Sequence, residues 1–186
     1  MNSINSSDLS ELIDGIRQNK RKSQKNLYET YYSTMMSISM RYCGNWDEAS
    51  EVVNNGFLKI FLKIDKYTGK GSFEGWMKKI VVNTALDYIK SLKPESVEVD
   101  DKVIYENNYY LENDALSNFN VKDILDQVQK LPPMSRAVFN MNIMEGMKHK
   151  EISEKLEISE GTSHWHLQNA RKILKENIDR KNYSNI

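Results

Sequence analysis

The polar side chains best placed for chemistry lie near the carboxyl end, in a segment with helical periodicity. One face of a helix predicted over 160–180 carries His164, Trp165, Gln168, Asn169 and Lys172. Amide side chains can form paired hydrogen bonds with adenine, and lysine neutralises phosphates. No carboxylate interrupts this face before Glu176. The pattern suits a helix in the DNA major groove, but periodicity alone fits the polar face of a bundle helix as well.

The neighbouring residues complete a predicted helix-turn-helix. Ile152 and Leu156 give a helix over 148–156 one apolar face, and residues 159–162 can cap the helix that follows. The inward face of that second helix is predicted to consist of Ser163, Leu167, Ala170, Leu174 and Ile178. These residues recur at three- and four-residue steps, so we expect the helix to pack by this stripe.

Metal, redox and catalytic chemistry are not expected. His164 and His166 are two residues apart, which places them on different faces of a helix. The single cysteine, Cys43, lies in an apolar stretch and is predicted to be a packed core thiol in a reducing cytoplasm. No apolar run approaches the length of a membrane span. We find no Gly-rich phosphate loop and no clustered His/Asp/Glu set, so we expect neither a cofactor nor an enzyme.

A second group of candidate residues surrounds a loop over 67–73. Aromatic and basic groups alternate there, an arrangement that can hold unstacked bases and their phosphates. Lys79, Asn83 and Lys90 extend it as a polar stripe on a helix predicted over 72–92. The alternative is that the aromatic residues belong to the core face of this helix, which is predicted to contain Phe73, Trp76, Met77, Ile80, Thr84 and Tyr88.

A helix predicted over 47–66 is apolar on two sides. Its core face is predicted to contain Ala49, Val52, Val53, Gly56, Ile60, Phe61 and Ile64. The opposite side carries Glu51, Asn54, Asn55, Leu58 and Leu62. Leucines beside acid and amide groups suit a partner helix, but they also occur as isolated surface residues, and periodicity leaves both open.

These segments must be positioned by an all-α fold, because prolines and glycines are few and apolar residues recur at helical spacing. Further helices are predicted over 7–19, 23–43, 121–130 and 133–145. Residues 1–93 carry fourteen basic and ten acidic residues (net +4), and residues 127–186 carry ten and seven (net +3). Residues 94–126 carry two and nine (net −7). We expect two small helical domains, 1–93 and 121–186, joined by an acidic linker over 94–120.

Two blocks of the sequence resemble the sigma-70 family of RNA polymerase sigma factors. The first block, similar to the second domain of the family, consists of DEASEVVNNGFLKIF (47–61) and GSFEGWMKKIVVNTALDYIKS (71–91). The other block, similar to the fourth domain, consists of LPPMSRAVF (131–139) and HKEISEKLEISEGTSHWHLQNARKIL (149–174). The order of the blocks and the short linker resemble the extracytoplasmic-function (ECF) subgroup.

The resemblance implies a protein that binds core RNA polymerase and promoter DNA and has no small-molecule substrate. Contact with the clamp helices of the polymerase β′ subunit would involve Glu51, Asn54, Asn55 and Leu58. Opening of the −10 element would involve Tyr67, Lys70, Ser72, Trp76, Lys79 and Asn83. The fourth domain would touch the β flap and recognise the −35 duplex through His164, Trp165, Gln168, Asn169 and Lys172. Phosphates of that duplex would be met by Arg136, Lys148, Lys150 and Arg171.

The chain departs from the family pattern at Asn55, which replaces a carboxylate, and at His164 and His166, where lysine or arginine is common. The −35 sequence therefore stays open. A helix-turn-helix regulator that acts without polymerase would leave residues 1–93 unexplained. A helical adaptor or anti-sigma protein would have no DNA affinity, which the carboxylate-free face of 160–180 argues against. The resemblance leaves open a membrane-linked anti-sigma factor as a further partner.

Overall fold

The computed structural model describes residues 6–92 and 126–183, and all regular elements in these ranges are helical. The first four helices are α1 (Ser6–Arg17), α2 (Arg21–Tyr42), α3 (Trp46–Leu62) and α4 (Phe73–Ser91), with a 3₁₀ turn at Ile64–Lys66. After helical residues 126–129 come α5 (Pro133–Phe139), a π-helical turn (Asn140–Met144), α6 (His149–Leu156) and α7 (Glu160–Tyr183). The predicted all-α fold class is confirmed. The predicted linker over 94–120 lies outside the described residues.

Two predicted helices end differently from expectation. The helix predicted over 47–66 leaves α-helical geometry at Leu62 and continues as the 3₁₀ turn, where the Tyr67 N–H donates to the Ile64 carbonyl at 3.0 Å. The helix predicted over 133–145 widens into the π-helical turn, in which the Glu145 N–H donates to the Asn140 carbonyl at 3.1 Å. Gly146 then adopts a φ of +70°, which ends the helix.

The described residues form two compact units. The first contains residues 6–40 and 46–85, and the second contains residues 41–45, 86–92 and 126–183. The predicted domain limits at 93 and 121 follow sequence composition rather than these contacts and stay a prediction. Among the residues that the structure describes, no helix is both long and apolar enough to cross a membrane.

In the first unit, α3 and α4 pack closely because Gly56 has no side chain. A Cβ at Gly56 would lie 2.9 Å from Val81 Cγ2. The predicted core face of α3 is confirmed except that Phe57 is buried and Phe61 is only partly buried. The core face of α4 differs more, because its buried residues in this unit are Phe73, Met77, Val81, Thr84 and Ala85. Val81, which faces Gly56, is buried, whereas the predicted core residues Trp76, Ile80 and Tyr88 are only half-buried.

In the second unit, α5 and α6 both pack against α7. The predicted inward stripe of α7 is confirmed, since the buried residues on this helix include Ser163, Leu167, Ala170, Leu174 and Ile178. Cys43 is buried, as predicted for a core thiol. The inward stripe fixes the rotation of α7 about its axis, and with it the set of side chains that face outward.

Candidate nucleic-acid and polymerase interfaces

The turn between α6 and α7 is built from three local features. Glu157 adopts a left-handed conformation (φ 58°, ψ 42°) and ends α6. The Ile158 N–H donates to the Ser153 carbonyl at 3.2 Å, which closes the turn. Ser159 Oγ accepts the Thr162 N–H at 2.9 Å and caps α7, as the sequence predicted. The geometry is that of a helix-turn-helix, with α7 as its second helix.

The outer side of this helix-turn-helix presents most of the predicted DNA-binding residues. The side chains of Lys148, Lys150 and Lys172 are exposed, and those of His164, Trp165, Gln168 and Arg171 are half-buried. The Trp165 ring meets the His166 ring edge-on, with centroids 4.9 Å apart. A half-buried indole keeps part of its apolar surface available to a partner, and lysines on either side can reach phosphates.

Two predicted DNA-binding residues make polar contacts within the unit instead. Arg136 is only 3% exposed, and its guanidinium donates to the carbonyl oxygens of Tyr42, at 2.9 Å, and Gln129. The predicted phosphate contact of Arg136 is therefore wrong in this structure, because a buried guanidinium held by carbonyls does not reach a DNA backbone. Asn169 Nδ2 donates to Ser135 Oγ at 3.3 Å, so its amide is partly used within the unit.

The two remaining histidines have roles that sequence periodicity did not reveal. His166 is buried, its Nδ1 lies 3.0 Å from Ser135 Oγ, and burial lowers its pKa to about 4. The His149 ring stacks on the His164 ring, with centroids 3.7 Å apart. Burial, followed by the neighbouring His164, lowers the pKa of His149. Periodicity did not predict the lowered pKa of His149, because its ring meets the His164 ring only when α6 and α7 pair.

The predicted −10 segment is organised around three aromatic rings. The Tyr67 centroid lies 5.0 Å from that of Phe73 and 5.5 Å from that of Trp76, and Phe73 stacks on Trp76 at 5.7 Å. The Tyr67 hydroxyl donates to the Gly71 carbonyl at 2.9 Å and closes the loop. Gly71 has a φ of +82°, a conformation that glycine adopts without steric cost.

Arg17 is a residue near this loop that the sequence did not single out. Its Nη2 donates to the Tyr67 carbonyl at 3.2 Å, and its Nη1 pairs with Asp14 at 3.1 Å. A contact across 50 residues has no signal in periodicity. Together, the contacts of Arg17 and the Tyr67 hydroxyl hold the loop at both of its ends.

The polar part of the −10 segment is exposed but shorter than predicted. Lys70, Ser72, Lys79 and Asn83 are exposed, and Trp76 is half-buried beside them. Lys90 does not continue the stripe as an unpaired cation, because its Nζ lies 2.8 Å from Glu157 and 3.6 Å from Asp87. The hydrogen bond to Glu157 raises the pKa of Lys90.

The predicted polymerase-binding side of α3 is exposed throughout, and it consists of Glu51, Asn54, Asn55 and Leu58, followed by Leu62. Leu58 is 56% exposed and Leu62 75%, although buried Phe57 directly precedes the first of them. The Tyr28 hydroxyl donates to Asn54 Oδ1 at 2.9 Å and fixes that amide. The surface thus combines two apolar side chains with acid and amide groups. Within residues 6–92 and 126–183, no three His, Cys, Asp or Glu side chains are grouped to hold a metal ion.

Comparisons of sequence and structure show which known proteins this chain is similar to. The model for "Sigma-70 region 2" matches residues 27–95, and that for "Sigma-70, region 4" matches residues 122–174, together about two thirds of the chain. The ECF RNA polymerase sigma-E factor of Haemophilus influenzae is 24% identical over 177 residues, which cover 90% of this chain and 93% of that protein. Its namesake from Escherichia coli K12 is also 24% identical over 177 residues, covering 90% and 92%. The structure of CnrH in complex with the cytosolic domain of CnrY covers 91% of this chain and 96% of its own, with 15% identity and a TM-score of 0.43.

Proposed function

The chain belongs to the ECF subgroup of the sigma-70 family, and on this premise we propose that its two matched regions divide the recognition of a promoter between them. The protein is a sigma factor that directs transcription initiation by RNA polymerase, and its partners are core polymerase and promoter DNA. The observation that carries the division is that region 2 and region 4 occur in this order in one chain. Each region presents its own polar and aromatic surface.

Region 2, within residues 1–93, is proposed to bind core polymerase through the exposed side of α3. Glu51, Asn54 and Asn55 supply hydrogen-bonding groups, and Leu58 supplies apolar area on the same exposed side. The proposed partner element is the pair of clamp helices of the β′ subunit. Because Asn55 carries no charge where the family has a carboxylate, Leu58 contributes a larger share of the binding energy.

The −10 element is proposed to open against the loop over 67–73 and the adjoining side of α4. Tyr67 and Trp76 offer ring faces on which unstacked bases can lie. Lys70, Ser72 and Lys79 lie where phosphates of a separated strand would pass, and Asn83 offers an amide to a base edge. Extruding a base costs a few kcal/mol, so an ordered loop lowers the additional entropy cost of capture.

Region 4, within residues 121–186, is proposed to recognise the −35 duplex and to touch the β flap. The outer side of α7 contributes His164, Trp165, Gln168 and Asn169 for base edges. Phosphate contacts are assigned to Lys148, Lys150, Arg171 and Lys172. Arg136 is left out of this set because it is buried.

The proposal extends to three further properties. The chain itself catalyses no reaction, it requires no cofactor, and it acts in the cytoplasm, where its polymerase is found. A membrane-linked anti-sigma factor is proposed as the partner that keeps it from polymerase. A helix-turn-helix regulator that acts without polymerase is the competing function, and it predicts no binding to core enzyme.

The deciding experiment is reconstitution with core polymerase. The purified chain is expected to co-migrate with core and to support initiation from promoter fragments that the holoenzyme selects from a randomised pool. Core polymerase alone is the control and is expected to leave the same fragments untranscribed. Co-migration without initiation on any selected fragment would refute the proposed function.

A further inference from the structure

His149, the first residue of α6, is held against the recognition helix by two contacts. Its ring stacks on the His164 ring at a centroid distance of 3.7 Å and an interplanar angle of 26°. Its Nδ1 lies 2.9 Å from the hydroxyl oxygen of Ser163, a residue whose side chain is fully buried. The buried hydroxyl fixes the orientation of the His149 ring, and that ring covers one face of its neighbour.

The contacts place His149 against a residue of the proposed DNA surface. His164 is half-buried and lies in the first turns of α7, the part of a recognition helix that meets base edges. An unstacked histidine side chain has several rotamers, and stacking on the fixed His149 ring leaves His164 fewer of them. Less rotamer entropy is then lost when the side chain binds DNA.

The surroundings of the pair favour a neutral His149 ring. Burial is the largest influence that lowers the pKa of His149, and His164 and Arg171, both on α7, lower it too, whereas Glu160 raises it. A neutral ring stacks on another ring without the repulsion of two cations. The stack therefore holds the His164 ring in position, which suits hydrogen bonding to a base better than it suits neutralising a phosphate.

We propose that His149 is a positioning residue for duplex recognition, acting through the ring of His164. This inference rests on the proposed function of α7 in −35 recognition. It adds a residue from the first helix of the helix-turn-helix to the determinants of promoter specificity. Its chemical requirement is an aromatic ring at position 149, with the Ser163 hydroxyl setting the angle of that ring.

The test is a double-mutant cycle on the reconstituted holoenzyme. The ligands are promoter fragments selected from a randomised pool, compared with fragments whose −35 region is scrambled. His149→Ala is expected to lower the preference for the selected −35 region about five- to tenfold, as for one displaced base contact. His149→Phe, which keeps a ring but loses the hydrogen bond to Ser163, is expected to retain part of that preference. In a His164→Ala background, His149→Ala is expected to cost nothing further.

The outcomes separate this inference from the function on which it rests. If the wild-type holoenzyme does not distinguish selected from scrambled −35 regions, both the proposed function and the positioning role fail. If it does, and His149→Ala binds as the wild type does, only the positioning role is overturned. An equal loss from His149→Ala with and without His164, accompanied by a lower melting temperature, would also overturn it by showing a purely structural residue.

Discussion

Ser135 Oγ lies 3.0 Å from His166 Nδ1, and both side chains are buried between α5 and α7. The contact joins residues 31 positions apart and gives the imidazole one hydrogen-bonding partner in an apolar environment. Burial lowers the pKa of His166 to about 4, from a usual value near 6.5. His166 is therefore a neutral core residue, although the family pattern has basic groups in this part of the recognition helix.

This pKa predicts acid-sensitive folding. The unfolded chain binds a proton at His166 below about pH 6.5, whereas the folded chain does so only near pH 4, so the free energy of unfolding falls as pH decreases across that window. With allowance for partial solvent screening, the loss at pH 5 is expected to be about 1–2 kcal/mol. Urea melts of the whole chain between pH 7.5 and 5 measure it.

The matched variant is His166→Gln, which can keep a hydrogen bond to Ser135 but does not titrate. Its absolute stability is expected to be lower at neutral pH because the amide fills less of the site. Its stability is expected to vary less with pH between 7.5 and 5 than that of the wild type. Identical pH slopes for the two proteins would show that His166 is not the group responsible.

Gln168 and Lys172 are predicted to act differently on DNA, although both lie on the outer face of α7. Gln168→Ala is expected to weaken binding of the selected −35 duplex by about 1–3 kcal/mol and to relax specificity locally. Lys172→Ala is expected to weaken binding to all duplexes and to reduce the salt dependence. Titrations of the holoenzyme at several salt concentrations measure both effects. Equal losses on selected and random DNA for both variants would contradict the assignment.

Leu58 is predicted to contribute to polymerase binding and not to folding. Because the side chain is 56% exposed, Leu58→Ala is expected to change the free energy of unfolding by less than about 0.5 kcal/mol. Affinity for core polymerase is expected to fall by about 1–2 kcal/mol through lost apolar burial. Asn55→Glu, which restores the family carboxylate, is expected to recover part of the loss. Unchanged core affinity in Leu58→Ala would remove this side of α3 from the interface.

Asn83 is predicted to act in promoter opening. It is exposed, so Asn83→Ala is expected to leave the melting temperature, core binding and duplex −35 affinity nearly unchanged. Open-complex formation is expected to slow, which permanganate reactivity of unpaired thymines measures. A template pre-melted across the −10 element is expected to rescue the part of the defect due to opening. Normal opening together with a less stable protein would show that the residue is structural.

Gly56 is predicted to be essential to the packing of α3 on α4. The new Cβ of Gly56→Ala would lie 2.9 Å from Val81 Cγ2, so overpacking is expected to cost about 1–3 kcal/mol despite better helix propensity. The matched control is Gly75→Ala, where the nearest atom would be 3.6 Å away. Helix propensity there predicts a neutral effect or a gain of up to about 1 kcal/mol. Thermal melts that rank the two variants in the opposite order would contradict this account.

The periodicity of the sequence correctly predicted most of the helices, the inward stripe of α7 and the outward faces of α3 and α7. A helix exposes the same residues wherever it docks, provided that one stripe is clearly apolar. This condition holds for α3 and α7, and the predictions for their buried faces were correct in most positions. The two family blocks predicted the partners, because they resemble two regions of the sigma-70 family and follow each other in the same order.

Which polar side chains remain accessible to a partner depends on tertiary packing. Arg136 was predicted to meet phosphates, yet packing directs its guanidinium to backbone carbonyls. The burial of Val81 depends on the absence of a side chain at Gly56 on another helix, and the His149–His164 stack depends on the pairing of α6 with α7. Periodicity describes one helix at a time. Whether an amphipathic or polar side chain is buried or exposed depends on the helix that packs beside it.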